Sequence, residues 1–377
     1  MPLSKVSLFA LAFALSLFLT NNASAAPSDA EQQRIERQQQ ELLRQDEERR
    51  KEIERQRKLR ELTPPEEHEP EHRKVPTPGQ RCIQIDQINV SENQVVTTSD
   101  LQEVLFPFEQ QCLTSSDLES LLSNVNDAFR ERGFITTRAY LRPQDLSEQS
   151  ITLTVIEGRI AEIMLGEDTL EDQTQVFFAF PTGSGELLNI RDVEQGLDQM
   201  NRLSSNNAKM QISPGEQPGQ SVVSITNETE KPISLTFGRE NSGSTTTGKL
   251  QNTARLNVDN LMRLNDAWML NYNRTARNYG TDRRSESLFG TWSIPFGYST
   301  LSYSGSYYSY STLVDAAVQD FQTSGTSTSH KVELSRILHR DQHSKTRLDL
   351  SLTAKRSRNF IEDVFVETSS RKLSVGR

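Results

Sequence analysis

Two cysteines and five histidines carry the most reactive side-chain chemistry in this sequence. Cys82 and Cys112 suffice for one bridge, not for a disulfide-dense scaffold. His68 and His72, in HEPEH, have the spacing of a helical metal pair. Pro70 between them breaks the helix that would put both on one face, so they read as solvated linker. The other histidines are scattered, and no GxSxG, HExxH or Walker pattern occurs. The expectation is therefore no catalytic residue, no metal ligand, no cofactor and no enzyme.

The elements that hold these residues follow from composition. The chain has 377 residues, enough for several domains. Lys+Arg 42 against Asp+Glu 51 gives −9, which argues against a nucleic-acid partner. Hydrophobic residues make up 34%, too few for a polytopic helical membrane protein. A membrane β-barrel stays open, because its strands alternate apolar and polar.

Lys5 precedes the apolar run Val6–Thr20, and Ala23-Ser24-Ala25 places small residues before a cleavage point. This layout predicts a secretory signal peptide over residues 1–25, cut after Ala25. The apolar run is shorter than the roughly 20 residues a spanning helix needs, with a retained anchor as the alternative. Export would place Cys82 and Cys112 in an oxidising compartment, which predicts a disulfide between them.

Residues 28–62 are strong helix formers with acids and bases in balance and no Gly or Pro, predicting a helix polar on all sides. Its sparse Ile35, Leu42, Leu43, Ile53, Leu59 and Leu62 sustain no heptad, leaving a coiled coil as the alternative. Residues 63–80 are a Pro-rich linker, spanning at most about 60 Å.

From residue 81 to 231 the pattern is globular. A strand is expected over Cys82–Ile88, a helix over Leu118–Arg132 stopped by Gly133, and strands over Phe134–Leu141 and Ile151–Ile156. The unit then repeats: a strand at Arg159–Leu165, a helix at Asn189–Arg202, and strands at Ala208–Ile212 and Ser221–Ile225. This predicts two tandem β-α-β-β domains, 81–157 and 158–231. From 232 to 377 the pattern is strict alternation, as in Ile233/Leu235/Phe237, Trp268/Leu270/Tyr272 and Leu348/Leu350/Leu352. Turns are expected at Glu240–Gly248, Asn278–Arg284 and Gln319–Ser329. About eight strands of transmembrane length favour a barrel wall over a soluble sandwich.

The whole arrangement resembles the outer-membrane transporters of two-partner secretion, the haemolysin-activator family. The resemblance rests on RCIQIDQI with its second cysteine Cys112, on RGFITTRAYLRPQDLSEQSITLTVIEGRI, on NIRDVEQGLDQMNRL, on ISPGEQPGQSVVSI and on the barrel entry FGREN. It implies a multidomain fold: signal peptide, N-terminal plug helix, two α+β POTRA (polypeptide-transport-associated) domains, and an antiparallel outer-membrane β-barrel. The family's later barrel, with its VRGY-type motif, has no counterpart in these residues. The expectation is the first half of a barrel, from a truncated product; a complete eight-stranded barrel is the alternative.

The resemblance also implies a function. The chain would sit in the outer membrane with periplasmic POTRA domains, contacting outer-membrane lipid. It would translocate a large secreted partner bearing an N-terminal secretion domain: a haemolysin, adhesin or contact-dependent toxin. The candidate substrate-binding edge is the strand Phe134–Leu141, through Phe134, Thr136, Arg138 and Tyr140, against a plain packing role for the same residues. A truncated product acting only as a periplasmic POTRA peptide-binding module is the second reading.

Overall fold

The computed structural model describes residues 82–276, 283–314 and 319–377. The expected signal peptide, polar helix and linker lie outside the described residues.

The first module runs β1 (Ile83–Ile85), β2 (Gln87–Ser91), α1 (Thr98–Leu105), β3 (Gln111–Leu113), α2 (Ser115–Glu131), β4 (Arg138–Leu141) and β5 (Ser150–Ile156). Strand β5 lies between β2, which is parallel to it, and β4, which is antiparallel. The single strand expected over Cys82–Ile88 is two strands in different sheets. The chain turns at Asp86, whose N–H donates to Gln149 O at 2.7 Å, and β1 pairs with β3 instead. Helix α1 was not anticipated, because its polar face and short length leave little periodicity to read. Thr97 caps it, its hydroxyl accepting from Asp100 N.

Helix α2 begins at a reciprocal capping box between Thr114 and Asp117 and stops at Gly133, which adopts φ 94°. Its Leu121, Val125 and Phe129 are fully buried against Ile151, Leu153 and Val155 of β5. Four-residue spacing puts the three on one helix face, so the sequence pattern and the core agree.

The second module repeats the plan with β6 (Arg159–Leu165), α3 (Leu170–Ala179), α4 (Ile190–Asn201), β7 (Ala208–Pro214) and β8 (Gln220–Asn227). Here β8 is central, parallel to β6 and antiparallel to β7. Ile160, Leu188, Val193, Met200 and Val223 form its core. Each module therefore carries one helix more than the β-α-β-β reading.

The remaining strands form one antiparallel meander: β9 (Ile233–Glu240), β10 (Gln251–Asp259), β11 (Ala267–Thr275), β12 (Arg284–Phe296), β13 (Ser299–Val314), β14 (Phe321–Arg340), β15 (Lys345–Ile361), β16 (Val364–Phe365) and β17 (Arg371–Gly376). The turn expected over Gln319–Ser329 is a correction: β14 begins at Phe321 and pairs with β13 through Val314↔Phe321. The Ser/Thr-rich stretch shows no apolar alternation, so nothing in its own pattern marks it as a strand. Its backbone is held between the ladders of β13 and β15.

The register produces a two-faced wall. One row across seven strands reads Ile233–Val258–Trp268–Trp292–Tyr303–Val332–Leu352. The adjacent row on the other face reads Ser234–Asn257–Met269–Thr291–Ser304–Lys331–Thr353. Period-two side-chain direction turns the sequence alternation into one apolar and one polar surface.

Candidate functional site: sheet edges, a polar wall and the joint between them

The four residues proposed for the binding edge are split by the structure. Arg138 and Tyr140 lie on β4 and are exposed, Tyr140 at 47%. Phe134 and Thr136 precede the strand, in a turn where the two modules meet. Phe134 packs on the first core, and neighbouring Ile135 packs on the second. A Cβ on Gly158 would lie 2.0 Å from Thr136 Oγ1 and 2.9 Å from its main-chain carbon, so the two segments approach too closely there for any side chain at 158. Gly158 N donates to Thr137 Oγ1 at 3.0 Å, and Ile190 N to Gly133 O at 2.9 Å. The apolar alternation of FITTRAYL reflects two successive packing surfaces rather than one long strand.

Both outer strands of each module sheet are short of a strand partner among the described residues. The four-residue β4 is partly satisfied, since Ala139 N on its free side donates to Asn126 Oδ1 at 2.8 Å. Strand β7 is longer, at seven residues, with Asn201 pairing both main-chain groups of Ala208 at its start. Pro214 closes it, in a position that only an outer strand tolerates. That proline was the available signal for β7 as an edge.

The second module grips one end of the meander through three successive turns. At the β10–β11 turn, Asn260 and Asn265 donate to Gln175 Oε1 and Gln175 O, each at 2.8 Å, while Arg263 pairs with Glu171. At the β12–β13 turn, Gly297 N donates to Phe178 O at 3.0 Å. Gln195 and Gln199 donate back to Gly297 O at 3.3 and 2.8 Å. At the end of β14, Arg340 donates to Gln195 Oε1 at 2.9 Å, Asp198 at 2.6 Å and Glu194 at 3.4 Å, and Lys345 joins Asp198 at 3.1 Å.

Tyr298 donates to Asp192 beside this cluster. Burial pushes the Asp192 carboxyl above its ordinary value, outweighing the Tyr298 hydrogen bond and the nearby Arg340 charge. In the β14–β15 turn, Asp341 is held well below the carboxylate range by hydrogen bonds from Ser344, then His339 and His343. None of these joint residues was singled out in the sequence. The readable sign was Gln195 and Gln199, two amides one turn apart on the buried face of α4, at 1% and 5% exposure. A buried amide needs partners, and here they come from another domain.

The polar face of the wall offers hydroxyls, amides and scattered charges. On β13 it carries Thr300, Ser302, Ser304, Ser306, Tyr308 and Tyr310, and on β14 Lys331, Glu333 and Ser335 lie on the same side. Lys331 pairs with Glu333. Such a lining has donors and acceptors for extended main chain.

Comparison with known proteins adds to this geometry. Residues 219–377 match the family model of the haemolysin secretion/activation protein ShlB/FhaC/HecB. Residues 83–158 match the ShlB-type POTRA domain and residues 159–214 a POTRA domain. The chain is 33% identical over 293 residues to the outer membrane transporter CdiB of Dickeya dadantii, covering 78% of this chain and 52% of that protein. It is 30% identical over 296 residues to the hemolysin transporter protein ShlB of Serratia marcescens, covering 78% and 52%. Among solved structures, CdiB from Escherichia coli superposes with a TM-score of 0.79 at 31% identity, over 93% of this chain and 64% of that one. The chain thus spans about half the length of the relatives it matches.

Proposed function

The chain belongs to the ShlB/FhaC/HecB family of haemolysin secretion/activation proteins, and from that premise we propose that it acts in moving a large partner protein across the outer membrane. The observation that carries this reading is the two-faced wall, apolar on one face and polar on the other, fixed by three turns to tandem POTRA domains.

In this reading the apolar face meets outer-membrane lipid, and the modules lie in the periplasm. An extended segment of the partner, from an N-terminal secretion domain, adds to a POTRA sheet edge. Main-chain hydrogen bonds hold it, and residues beside the edge select side chains. The outward Arg138 and Tyr140 of β4 are the proposed selecting residues. Phe134 and Thr136 support the edge by fixing the module junction. The polar wall then lines the path, as hydrated donors and acceptors that bind no segment for long. Transfer of an unfolded chain requires no covalent step, so the proposal needs no catalytic residue and no cofactor.

Binding of the partner's secretion domain to the full chain, followed by titration calorimetry, tests the capture step. Replacing Arg138–Leu141 by a Gly/Ser strand should weaken binding at least tenfold. Binding unchanged by that replacement removes β4 as the receptor, and loss on altering β7 instead moves the site there. A chain that binds the partner yet supports no transfer favours the second reading, a periplasmic peptide-binding module.

A further inference from the structure

The apolar outer surface does not end with the sheet. On β12 the outward positions run Leu288, Trp292, Ile294 and Phe296 towards the module end. Phe296 is 59% exposed, and its ring meets Phe177 and Phe178 of α3 edge-on, with centroids 5.9 and 6.0 Å apart. Phe177 is itself 65% exposed, and Leu170, seven residues earlier and so on the same helix face, is 82% exposed. The module core draws Val176, Ala179 and Phe180 from this region and leaves those two out. A helix that met only water would carry polar residues there.

The height of α3 is fixed by its ties to the wall: Gln175 to Asn260 and Asn265, and Phe178 O to Gly297 N. The carboxylates of its first turn are engaged, Glu171 with Arg263 and Asp172 in the Thr169 capping box. An aromatic and a leucine thus extend the lipid-facing surface onto a helix just beyond the strand ends. We propose that α3 rests on the phospholipid leaflet on the module side, with Phe177 and Leu170 in the interface and Phe296 at its boundary. The contact rests on the membrane reading of the wall and deepens it, because the second POTRA domain then has a fixed tilt against the bilayer. Apolar burial drives it, so added salt should leave it unchanged.

Both native cysteines are held in the Cys82–Cys112 disulfide, so a nitroxide label attaches only at an introduced thiol. Labels at Phe177→Cys and Leu170→Cys are compared, in the full chain in phosphatidylcholine vesicles, with Leu270→Cys on the wall and Tyr140→Cys on the first module. The quantity read is the ratio of collision rates with oxygen and with a water-soluble nickel chelate. The ratio at 177 and 170 should exceed that at 140 severalfold and approach that at 270. Water-like ratios at 177 and 170 beside a lipid-like 270 overturn the contact while keeping the wall in the membrane. A water-like 270 overturns the membrane reading and the contact with it. Leu170, outside the core, decides alone if the Phe177 variant fails to fold.

Discussion

Gly297 meets two demands at one residue. It holds φ 54°, and a Cβ there would sit 3.0 Å from Pro181 Cα, while its main chain links to Phe178 and to two glutamines of α4. Gly297→Ala is expected to cost about 1–2 kcal/mol, read as a lower urea midpoint with unchanged slope. Arg340 is the other pivot, its side chain 12% exposed and shared among three partners on α4. Arg340→Ala should cost about 2 kcal/mol, since it strands partly buried carboxylate and amide groups. Arg340→Lys should rescue little, because a single ammonium cannot replace the guanidinium fork. Asp192 makes the joint pH-dependent. Its carboxyl is raised from the ordinary 3.8, so its contribution to stability is full below that value and is lost as pH rises through the elevated one. Asp192→Asn should flatten that part of a melting-temperature profile; an unchanged slope would assign it to another group. These residues escaped sequence reading because their partners lie about a hundred positions away, as in Gln199 and Gly297.

At the scale of elements, the disulfide ties the strand β1 to the lead-in of α2, closing a separation of 30 residues with Cα atoms 5.3 Å apart. In the chain-entropy account such a loop contributes about 3–4 kcal/mol, so reduction should lower the unfolding free energy of the first module by that order. Denaturation with and without dithiothreitol measures it, and a difference near zero would assign the stability to the core alone. Elements with strong periodicity were legible: α2, α4 and the strands β9, β11 and β15 fall where alternation or four-residue spacing puts them. Those with weak periodicity were not, namely α1, α3 and the hydroxyl-rich start of β14, whose order comes from neighbouring ladders or module packing. Thr136 and Phe134 show the opposite failure, an apolar alternation produced by two different cores.

For the molecule as a whole, the meander described here runs from β9 to β15 and its short partners β16 and β17, with no strand on the outer side of β9 among the described residues. Each unpaired main-chain group in lipid costs several kcal/mol, so a conducting barrel requires both edges to be closed. The 377-residue chain alone, refolded into planar bilayers, is therefore expected to give no large stable conductance. Such a conductance would mean that these strands close by themselves or through further copies, and the open sheet would be the wrong picture.

What the sequence determined by itself is the order of modules, the two-faced wall and the cysteine pair, because each is written in local period, composition or compartment. Alternation of period two commits a strand to two faces whatever its neighbours are, and RCIQIDQI and its companions mark the family without any contact being known. The tertiary structure alone decided where the modules touch the wall, that Phe134 and Thr136 belong to a junction, and that exposed Phe177 meets Phe296 at the end of the apolar face. Those facts depend on pairs of residues far apart in the chain. A side chain's exposure is a property of what packs beside it, and no single segment carries that information.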